Sequence, residues 1–152
     1  MLSKVVILAL FFGGSLGSVV AQSNDRLDEL LSQSPARLDS TAYVVLVAGS
    51  AIADDASVAD AFEAAVQQGL VAKDRHPEDP VTLADLSFLE LKTLKVKGGL
   101  EWSFFPSPRA AYRELAYREV INTSAGPDRQ VAGDEVLRTL SAVRALLPGG
   151  AP

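Results

Sequence analysis

The chain has 152 residues, of which 48% are hydrophobic and 22% charged, with a formal net charge of −5 and no cysteine. This length suits one ordinary globular domain. The missing cysteine excludes disulfide bridges, cysteine-ligated zinc or iron–sulfur sites and a cysteine nucleophile. The acidic balance argues against nucleic acid as a general partner, because neutralising phosphates requires clustered positive charge.

The N-terminus has the pattern of an export signal. Lys4 precedes eight consecutive apolar residues, Val5 to Phe12, and Val19-Val20-Ala21 matches the small-residue pattern that signal peptidase reads. We therefore predict a signal peptide over residues 1–21, cleavage before Gln22, and a protein that is exported to the periplasm or secreted. The alternative is a retained membrane anchor, since residues 5–21 reach the lower length limit for a span. A lipid anchor is excluded because no cysteine follows the cleavage site.

The rest of the chain has the hydrophobic spacing of helices. Apolar residues recur at intervals of three and four, and no alternation with period two is long enough to indicate a strand. Six helices are predicted in chain order: one from Asn24 to just before Pro35, one from Ser40 or Thr41 to Ala48, and four at about 57–68, 82–97, 107–121 and 134–147.

Local signals mark several ends of these helices. Thr82 with Asp85 three residues later predicts a capping box, in which each side chain accepts a backbone N–H of the other residue. Ser107-Pro108 predicts an N-cap followed by proline at the first helical position. Gly69 occupies the position just after the third helix, where a left-handed glycine commonly ends helices.

These helices predict a compact all-α domain of about six helices over residues 22–147, followed by a tail at 148–152. A shift of 50 residues aligns the third and fourth helices with the fifth and sixth without a gap. Under this shift Ala61-Phe62 falls on Ala111-Tyr112, and Asp85 falls on Glu135. We predict two repeated helix–loop–helix units, 57–97 and 107–147; chance similarity of two amphipathic helix pairs is the alternative.

Each unit resembles the S-layer homology (SLH) module, a helix–loop–helix repeat that docks exported proteins on cell-wall polysaccharide. The resemblance rests on the segments 68–71, 77–80 and 81–86, and it covers about 90 residues, from Ala59 to Leu147. The arginine that the SLH motif has at the second helix is Leu83 in one unit and Gly133 in the other. The resemblance implies an exported, non-enzymatic binding or adaptor module of the cell envelope, with a cell-wall glycan or an envelope protein as partner.

A second resemblance concerns the segment from Gly98 to Ile121. It is similar to small exported spirochaete proteins of unknown function, in which Gly-Gly-Leu, an aromatic-Pro-x-Pro-Arg and Tyr-Arg-Glu-Leu recur in this order. The similarity implies an exported protein and indicates no particular activity.

The densest chemical signal lies between Gly98 and Arg113. This segment holds four of the eight aromatic residues that follow residue 21, and Glu101 is the only acid between Lys92 and Arg113. Guanidinium groups pair with carboxylates or phosphates, and aromatic faces stack on sugars, so the segment suits a polyanionic or glycan partner. The candidate contact residues are Trp102, Phe104, Phe105, Arg109, Tyr112, Arg113, Lys95 and Lys97.

A purely structural role explains the same residues equally well. The lysines lie at the C-terminus of a predicted helix, where cations offset the helix dipole. The aromatic residues 102, 104 and 105 could fill the core between the two helix pairs. Charge is also uneven along the chain: residues 22–80 hold eleven acids and four bases, and residues 81–152 hold eight and nine. Such a bias is compatible with head-to-tail association or with a solvated face.

No catalytic constellation is evident in the sequence. His76 is the only histidine and lies in an acidic loop without the spacing of a calcium-binding EF-hand. Asp54-Asp55 is a poor acid–base pair, because adjacent side chains point apart, and it fits better as a cap of the third helix. We predict a protein that is not an enzyme, with no catalytic residue, metal or cofactor, and with no stable membrane insertion after signal cleavage.

Two other functions compete with the binding module. A structural subunit of an envelope assembly would use exposed apolar surface as an oligomer interface. A hydrolase acting through carboxylates is the third alternative, and it requires two acids, such as Asp85 and Glu135, that converge in one pocket.

Overall fold

The computed structural model describes residues 16–149, with side chains from Asn24 onward. This part of the chain confirms the predicted all-α class, since its only extended pairings are two isolated bridges, Arg37 with Pro80 and Thr82 with Gln130. Its helices are α1 (Leu16–Leu31), α2 (Leu38–Ala48), α3 (Val58–Gln67), α4 (Leu83–Thr93), α5 (Leu100–Phe104), α6 (Pro108–Tyr117) and α7 (Gly133–Ala145).

The caps predicted for α4 and α6 are confirmed. The backbone N–H of Asp85 donates to Thr82 Oγ1, and the N–H of Thr82 donates to Asp85 Oδ2, both at 3.2 Å. Ser107 Oγ accepts the N–H of Ala110 at 3.2 Å, with Pro108 at the first helical position. Both helices therefore begin where local side-chain chemistry satisfies backbone donors that the helix leaves unpaired.

The predicted start and end of α3 are also found, with a different cap. Ser57 and Asp60 form a second capping box, so the prediction that Asp54 or Asp55 caps this helix is wrong. Ser57 occupies the extended N-cap position, from which its hydroxyl reaches the N–H of Asp60 at 3.0 Å. Gly69 follows the helix with φ of 69°, as predicted.

Four other helix boundaries differ from the predictions, and one of them is the end of α6, which lies at Tyr117 rather than at about residue 121. Helix α1 runs through Asn24, which therefore caps nothing, and α2 begins at Leu38 after Arg37. Helix α4 ends at Thr93 rather than at the glycines 98 and 99, because Lys95 adopts a left-handed φ of 53°. The connector that follows then forms the unpredicted helix α5.

The predicted signal peptide falls largely outside the described residues. Residues 1–15 lie outside them, and residues 16–21 form the beginning of α1. Among the described helices, none combines the length and the hydrophobicity that a membrane span requires.

Three buried residues from distant parts of the chain form a closed ring of backbone hydrogen bonds. The N–H of Val81 donates to the carbonyl oxygen of Ala36 at 3.0 Å, and the N–H of Val131 donates to the carbonyl oxygen of Val81 at 3.0 Å. The N–H of Ala36 closes the ring on the carbonyl oxygen of Val131 at 2.8 Å. Helices α2, α4 and α7 each begin two residues after a ring residue, so the ring brings the starts of these three helices together.

The first turns of these helices form a second cycle of hydrogen bonds, in which the N–H groups donate around the three segments in the opposite direction. Each helix donates an early backbone N–H to a loop elsewhere in the chain, which satisfies a donor that its own helix leaves unpaired. The pairs are Leu38 N–H with the Asp79 carbonyl at 2.9 Å, Leu83 N–H with the Arg129 carbonyl at 2.8 Å, and Gly133 N–H with the Gln33 carbonyl at 3.0 Å.

Position 133 requires glycine because the start of α7 lies very close to the backbone at the end of α1. A Cβ atom added to Gly133 would lie 1.8 Å from the carbonyl oxygen of Leu30. Real side chains do not approach backbone this closely, so only a residue without a Cβ lets α7 begin against the end of α1.

The bounds of the helices agree with the predicted shift of 50 residues. Helix α3 spans 58–67 and α6 spans 108–117, while α4 and α7 begin at 83 and 133. A common origin of the two helix pairs stays a prediction.

Helix α4 is the central element of the core. It packs against α2, α6 and α7, and its leucines at 83, 86, 89 and 91 are fully buried. In contrast, Leu31 is 47% exposed at the end of α1.

Candidate functional site

Helix α5 separates the aromatic residues of the connector into one that is buried and two that are exposed. Trp102 is 6% exposed, whereas Phe104 and Phe105 are 70% and 76% exposed. The sequence left a core role and a surface role open for all three residues. The structure assigns Trp102 to the core and the two phenylalanines to the surface.

Trp102 is anchored on α4 by several contacts. Its indole N–H donates to the carbonyl oxygen of Val96 at 3.1 Å, and its ring meets Phe88 edge-to-face with 6.0 Å between centroids. Lys92 Nζ lies 5.8 Å from the centroid of the Trp102 ring, in the range of a cation–π contact. These contacts give Trp102 a structural role, and its role as a contact residue for a partner stays a prediction.

A carboxylate on α6 holds the start of α5 in place. Glu114 Oε2 accepts the backbone N–H of Gly99 at 2.9 Å, while Glu114 Oε1 accepts Arg118 Nε at 2.7 Å. Arg118 also donates to the carbonyl oxygen of Lys97 at 2.6 Å. The backbone before α5 is thus tied to α6 as well as to α4, so the orientation of α5 is fixed from two sides.

The predicted contact residues on α6 have different surroundings. Arg113 forms an exposed ion pair with Glu101, which compensates its charge. Tyr112 is half-buried, and its hydroxyl donates to the carbonyl oxygen of Ala125 at 3.1 Å, which indicates a structural role. Arg109 is exposed and forms no ion pair within residues 16–149.

The predicted lysines border one open groove. Lys95 and Lys97, joined by Lys92, line a groove of about 600 Å³ whose wall includes Trp102. All three lysines are exposed, and none of them is in an ion pair with a described residue. We call this feature the lysine groove; it concentrates positive charge in a chain whose net charge is −5.

An exposed apolar patch adjoins the lysine groove. Leu100 and Phe104 lie four residues apart on one face of α5, and Phe105 follows directly. Leu100 is 79% exposed and shares a cleft with Tyr117, which is 87% exposed. We call these four residues the apolar patch.

Sequence reasoning missed Leu100 and Tyr117 as members of this surface. The available signal was the spacing around Trp102: a helix that buries residue 102 turns residues 100 and 104 away from the core. That signal becomes readable only when the five-residue helix α5 is recognised.

The two carboxylates considered for hydrolysis are each held by an arginine. Asp85 accepts Arg75 Nη1 at 3.1 Å, and Glu135 accepts both terminal nitrogens of Arg129 at 2.9 and 2.5 Å. Arg75 and Arg129 each come from the loop before the helix that carries their partner. These contacts stabilise helix starts, and they give neither carboxylate the surroundings of a general acid or base.

The acidic loop around His76 is organised by ion pairing as well. Asp79 Oδ2 accepts the backbone N–H of His76 at 2.9 Å and Arg75 Nε at 3.0 Å. These two hydrogen bonds, the backbone one first, lower the pKa of Asp79. The imidazole itself is exposed. Within residues 24–149, no group of three or more histidine, aspartate or glutamate side chains could hold a metal ion.

One titratable group lies entirely inside the core. Glu90 on α4 has no exposed surface, and neither of its carboxylate oxygens has a hydrogen-bond partner among the described residues. Burial raises the pKa of Glu90 well above its ordinary value, which favours the neutral acid. Glu90 was not predicted from the sequence, although its position four residues after Leu86 places it on the buried face of the helix.

No protein-family model, no curated protein and no solved structure matches this chain. The resemblances to SLH modules and to small spirochaete proteins therefore stay predictions. A proposal for the function of this chain therefore rests on the geometry of the lysine groove and the apolar patch.

Proposed function

We propose that this chain is an exported, non-enzymatic binding module of the cell envelope that docks through the apolar patch and the lysine groove. The observation that carries the proposal is the exposure of Leu100, Phe104 and Phe105, at 70–79%, on a helix that Trp102 anchors to the core.

Exposed apolar groups of this size require a reason. Large apolar side chains that lie side by side on a soluble domain commonly mark a surface that is covered by a partner. Exposure here does not arise from a loose segment, because Trp102 and Glu114 tie α5 to α4 and α6. A preformed surface of this kind loses little conformational freedom when it binds, which favours affinity.

The remaining chemistry of the chain also favours binding over catalysis. Asp79, Asp85 and Glu135, the acids nearest to a catalytic arrangement, form ion pairs that hold loops on helices. Around α5, in contrast, the lysine groove holds three exposed lysines that form no ion pair with a described residue, and it lies beside the exposed apolar patch.

A structural subunit of an envelope assembly is the second candidate function, and the same patch supports it. Apolar side chains at high exposure are also what an oligomer interface presents before association. Light scattering distinguishes the candidates: a monodisperse oligomer supports assembly, and a monomer supports the binding module.

The docking surface is tested by retention on isolated cell envelopes. The sample is the chain starting at Gln22, which keeps every described core residue, the earliest of which are Leu27 and Leu30. We expect retention of this protein and at least roughly tenfold weaker retention of the double variant Phe104→Ser, Phe105→Ser, because two exposed apolar contacts are lost.

Leu31→Ser is the matched control, since it removes an exposed apolar side chain on α1, which packs against α2 and α7. Equal retention of wild type and the phenylalanine variant would overturn the assignment of the surface. Export is tested separately, by mass spectrometry of the N-terminus after expression of the full chain; a first residue other than Gln22 would contradict the predicted cleavage.

A further inference from the structure

We propose that the partner of the α5 surface is the headgroup and outer acyl region of an anionic lipid bilayer, on which the domain lies peripherally. The proposal rests on the proposed function, because it names the partner of the same surface.

The shape of the apolar patch favours a deformable partner. Leu100, Phe104 and Phe105 project outward from a short helix at 70–79% exposure. Projecting side chains of this type need a complementary pocket on a rigid partner, whereas an acyl layer opens around them. Amphipathic surfaces that bind membranes bury such apolar side chains by about 5–10 Å at the boundary between headgroups and acyl chains.

The chemistry of the patch points in the same direction. The side chains of Leu100, Phe104 and Phe105 contain only hydrocarbon, so they gain most from an apolar medium. A glycan would require several polar groups within the patch for its hydroxyl groups, and Tyr117 is the only patch residue that has one; the indole, which is best suited to stacking on a sugar, is buried.

Positive charge next to the patch favours a bilayer whose headgroups are negatively charged. Ser103 and Pro106 line the lysine groove, and Phe104 and Phe105 lie between them in the chain, so the two features share a border. Lys92, Lys95 and Lys97 would therefore meet the headgroup layer when the phenylalanines enter the acyl region. Each lysine near an anionic lipid surface strengthens binding by about fivefold.

A second copy of the chain fits this surface less well than a lipid surface does. A twofold dimer through the patch would place the same surface on both subunits, since such interfaces are self-complementary. The lysine groove of one subunit would then approach that of the other, and like charges repel.

Cosedimentation with vesicles tests the proposal directly. The chain starting at Gln22 is mixed with vesicles of phosphatidylglycerol and phosphatidylcholine, and separately with vesicles of phosphatidylcholine alone. We expect binding to the anionic vesicles that weakens with added salt, and at least tenfold weaker binding to the neutral ones. Phe104→Ser with Phe105→Ser should weaken binding to the anionic vesicles by at least roughly tenfold.

Two further variants separate lost charge from lost folding. Lys95→Gly with Lys97→Gln removes two charges of the groove and should weaken binding by roughly tenfold or more. Glycine at position 95 also relieves the left-handed φ of 53°, so weaker binding of this variant does not arise from a strained backbone. The matched control, Lys73→Gln with Arg144→Gln, removes two exposed charges that do not line the lysine groove and should change binding by less than about twofold.

The results separate the lipid assignment from the proposed function. Absence of binding to either vesicle, or equal binding to both, overturns the lipid assignment. If whole envelopes still retain the protein through Phe104 and Phe105, docking on the envelope stands and the partner is not lipid. Retention on lipid-free cell-wall sacculi that depends on the same two residues would instead identify a glycan and overturn the lipid assignment.

Discussion

The indole N–H of Trp102 donates to the carbonyl oxygen of Val96 at 3.1 Å. This hydrogen bond joins a side chain of α5 to the backbone of the segment that precedes the helix. The tryptophan is the core-facing side of a helix whose other side carries Leu100 and Phe104. Because these residues lie on opposite faces of one helix, the burial of Trp102 leaves Leu100 and Phe104 exposed to solvent.

Substitutions at Trp102 should destabilise the domain in proportion to what they remove. Trp102→Phe keeps a ring and loses the N–H donor, which should lower the free energy of unfolding by about 1–2 kcal/mol. Trp102→Ala also leaves a cavity and should cost about 3–5 kcal/mol. The control is Phe105→Ala, whose side chain is 76% exposed and should change stability by less than about 0.5 kcal/mol.

Urea unfolding followed by far-ultraviolet circular dichroism measures these differences. Fluorescence is unsuitable because Trp102 is the single tryptophan of the chain. Equal stability of Trp102→Ala and Phe105→Ala would contradict the anchoring role.

Gly133→Ala should be strongly destabilising, because its Cβ would lie 1.8 Å from the Leu30 carbonyl oxygen. Either α7 moves away from α1 or the backbone deforms, and we expect a loss of about 3 kcal/mol or more. Gly126→Ala is the matched control: its Cβ meets no atom within 4 Å, so stability should stay within about 1 kcal/mol of wild type. Thermal unfolding of the two variants checks the prediction, and similar melting temperatures for them would refute it.

Glu90 should make the domain less stable as pH rises. Its raised pKa means that the folded state keeps the Glu90 proton at pH values where the unfolded chain has released it. The folded state then binds more protons than the unfolded state, so stability falls as pH rises from the ordinary pKa of glutamate toward the raised one.

Glu90→Gln should remove this dependence and increase stability near neutral pH by about 1–3 kcal/mol, because the amide carries no ionisation cost. At pH values below the ordinary pKa of glutamate, where the carboxyl is neutral in both states, the two proteins should be similar. Unfolding by urea across this pH range provides the measurement. An advantage of Glu90→Gln that is the same at every pH would show that ionisation of Glu90 is not the cause.

Arg75 should contribute more to stability than an ordinary surface arginine. It donates to Asp79 at 3.0 Å, to Asp85 at 3.1 Å and to the carbonyl oxygen of Pro80 at 2.9 Å. Burial alone would lower the pKa of Arg75, but its hydrogen bonds with Asp79 and Asp85 together raise it. Arg75→Ala should cost about 1–3 kcal/mol, because one charge-assisted contact between the loop and α4 and two contacts within the loop are lost.

Arg138→Ala serves as the control for Arg75→Ala in urea unfolding. Arg138 pairs with Asp134 four residues earlier on α7, and both side chains are mostly exposed. Such a pair contributes at most about 0.5 kcal/mol. A loss at position 75 no larger than that at 138 would show that Arg75 does not hold the loop.

Features that depend on neighbouring residues were predictable from the sequence. The Thr82–Asp85 capping box, the Ser107-Pro108 start and Gly69 after α3 all act within one helical turn, so the residue pattern itself contains the interaction. The all-α class follows from hydrophobic spacing for the same reason.

Features that depend on distant contacts were not predictable in this way. Trp102, Phe104 and Phe105 are all aromatic residues in the sequence, and only the docking of α5 on α4 and α6 decides which of them is buried. A glutamate is expected on the surface from its residue type alone, but Glu90 is fully buried in the fold. The backbone hydrogen bonds that join Ala36, Val81 and Val131 involve no side chain, so they leave no pattern in the sequence.

The ring of these three residues also determines when folding can finish. A chain that emerges N-terminus first presents Ala36 long before Val131, and the N–H of Ala36 has no ring partner until then. Closing such a contact carries the entropy cost of a long loop, which delays the final step of folding. The ring can therefore close only after the chain as far as the start of its last helix has emerged.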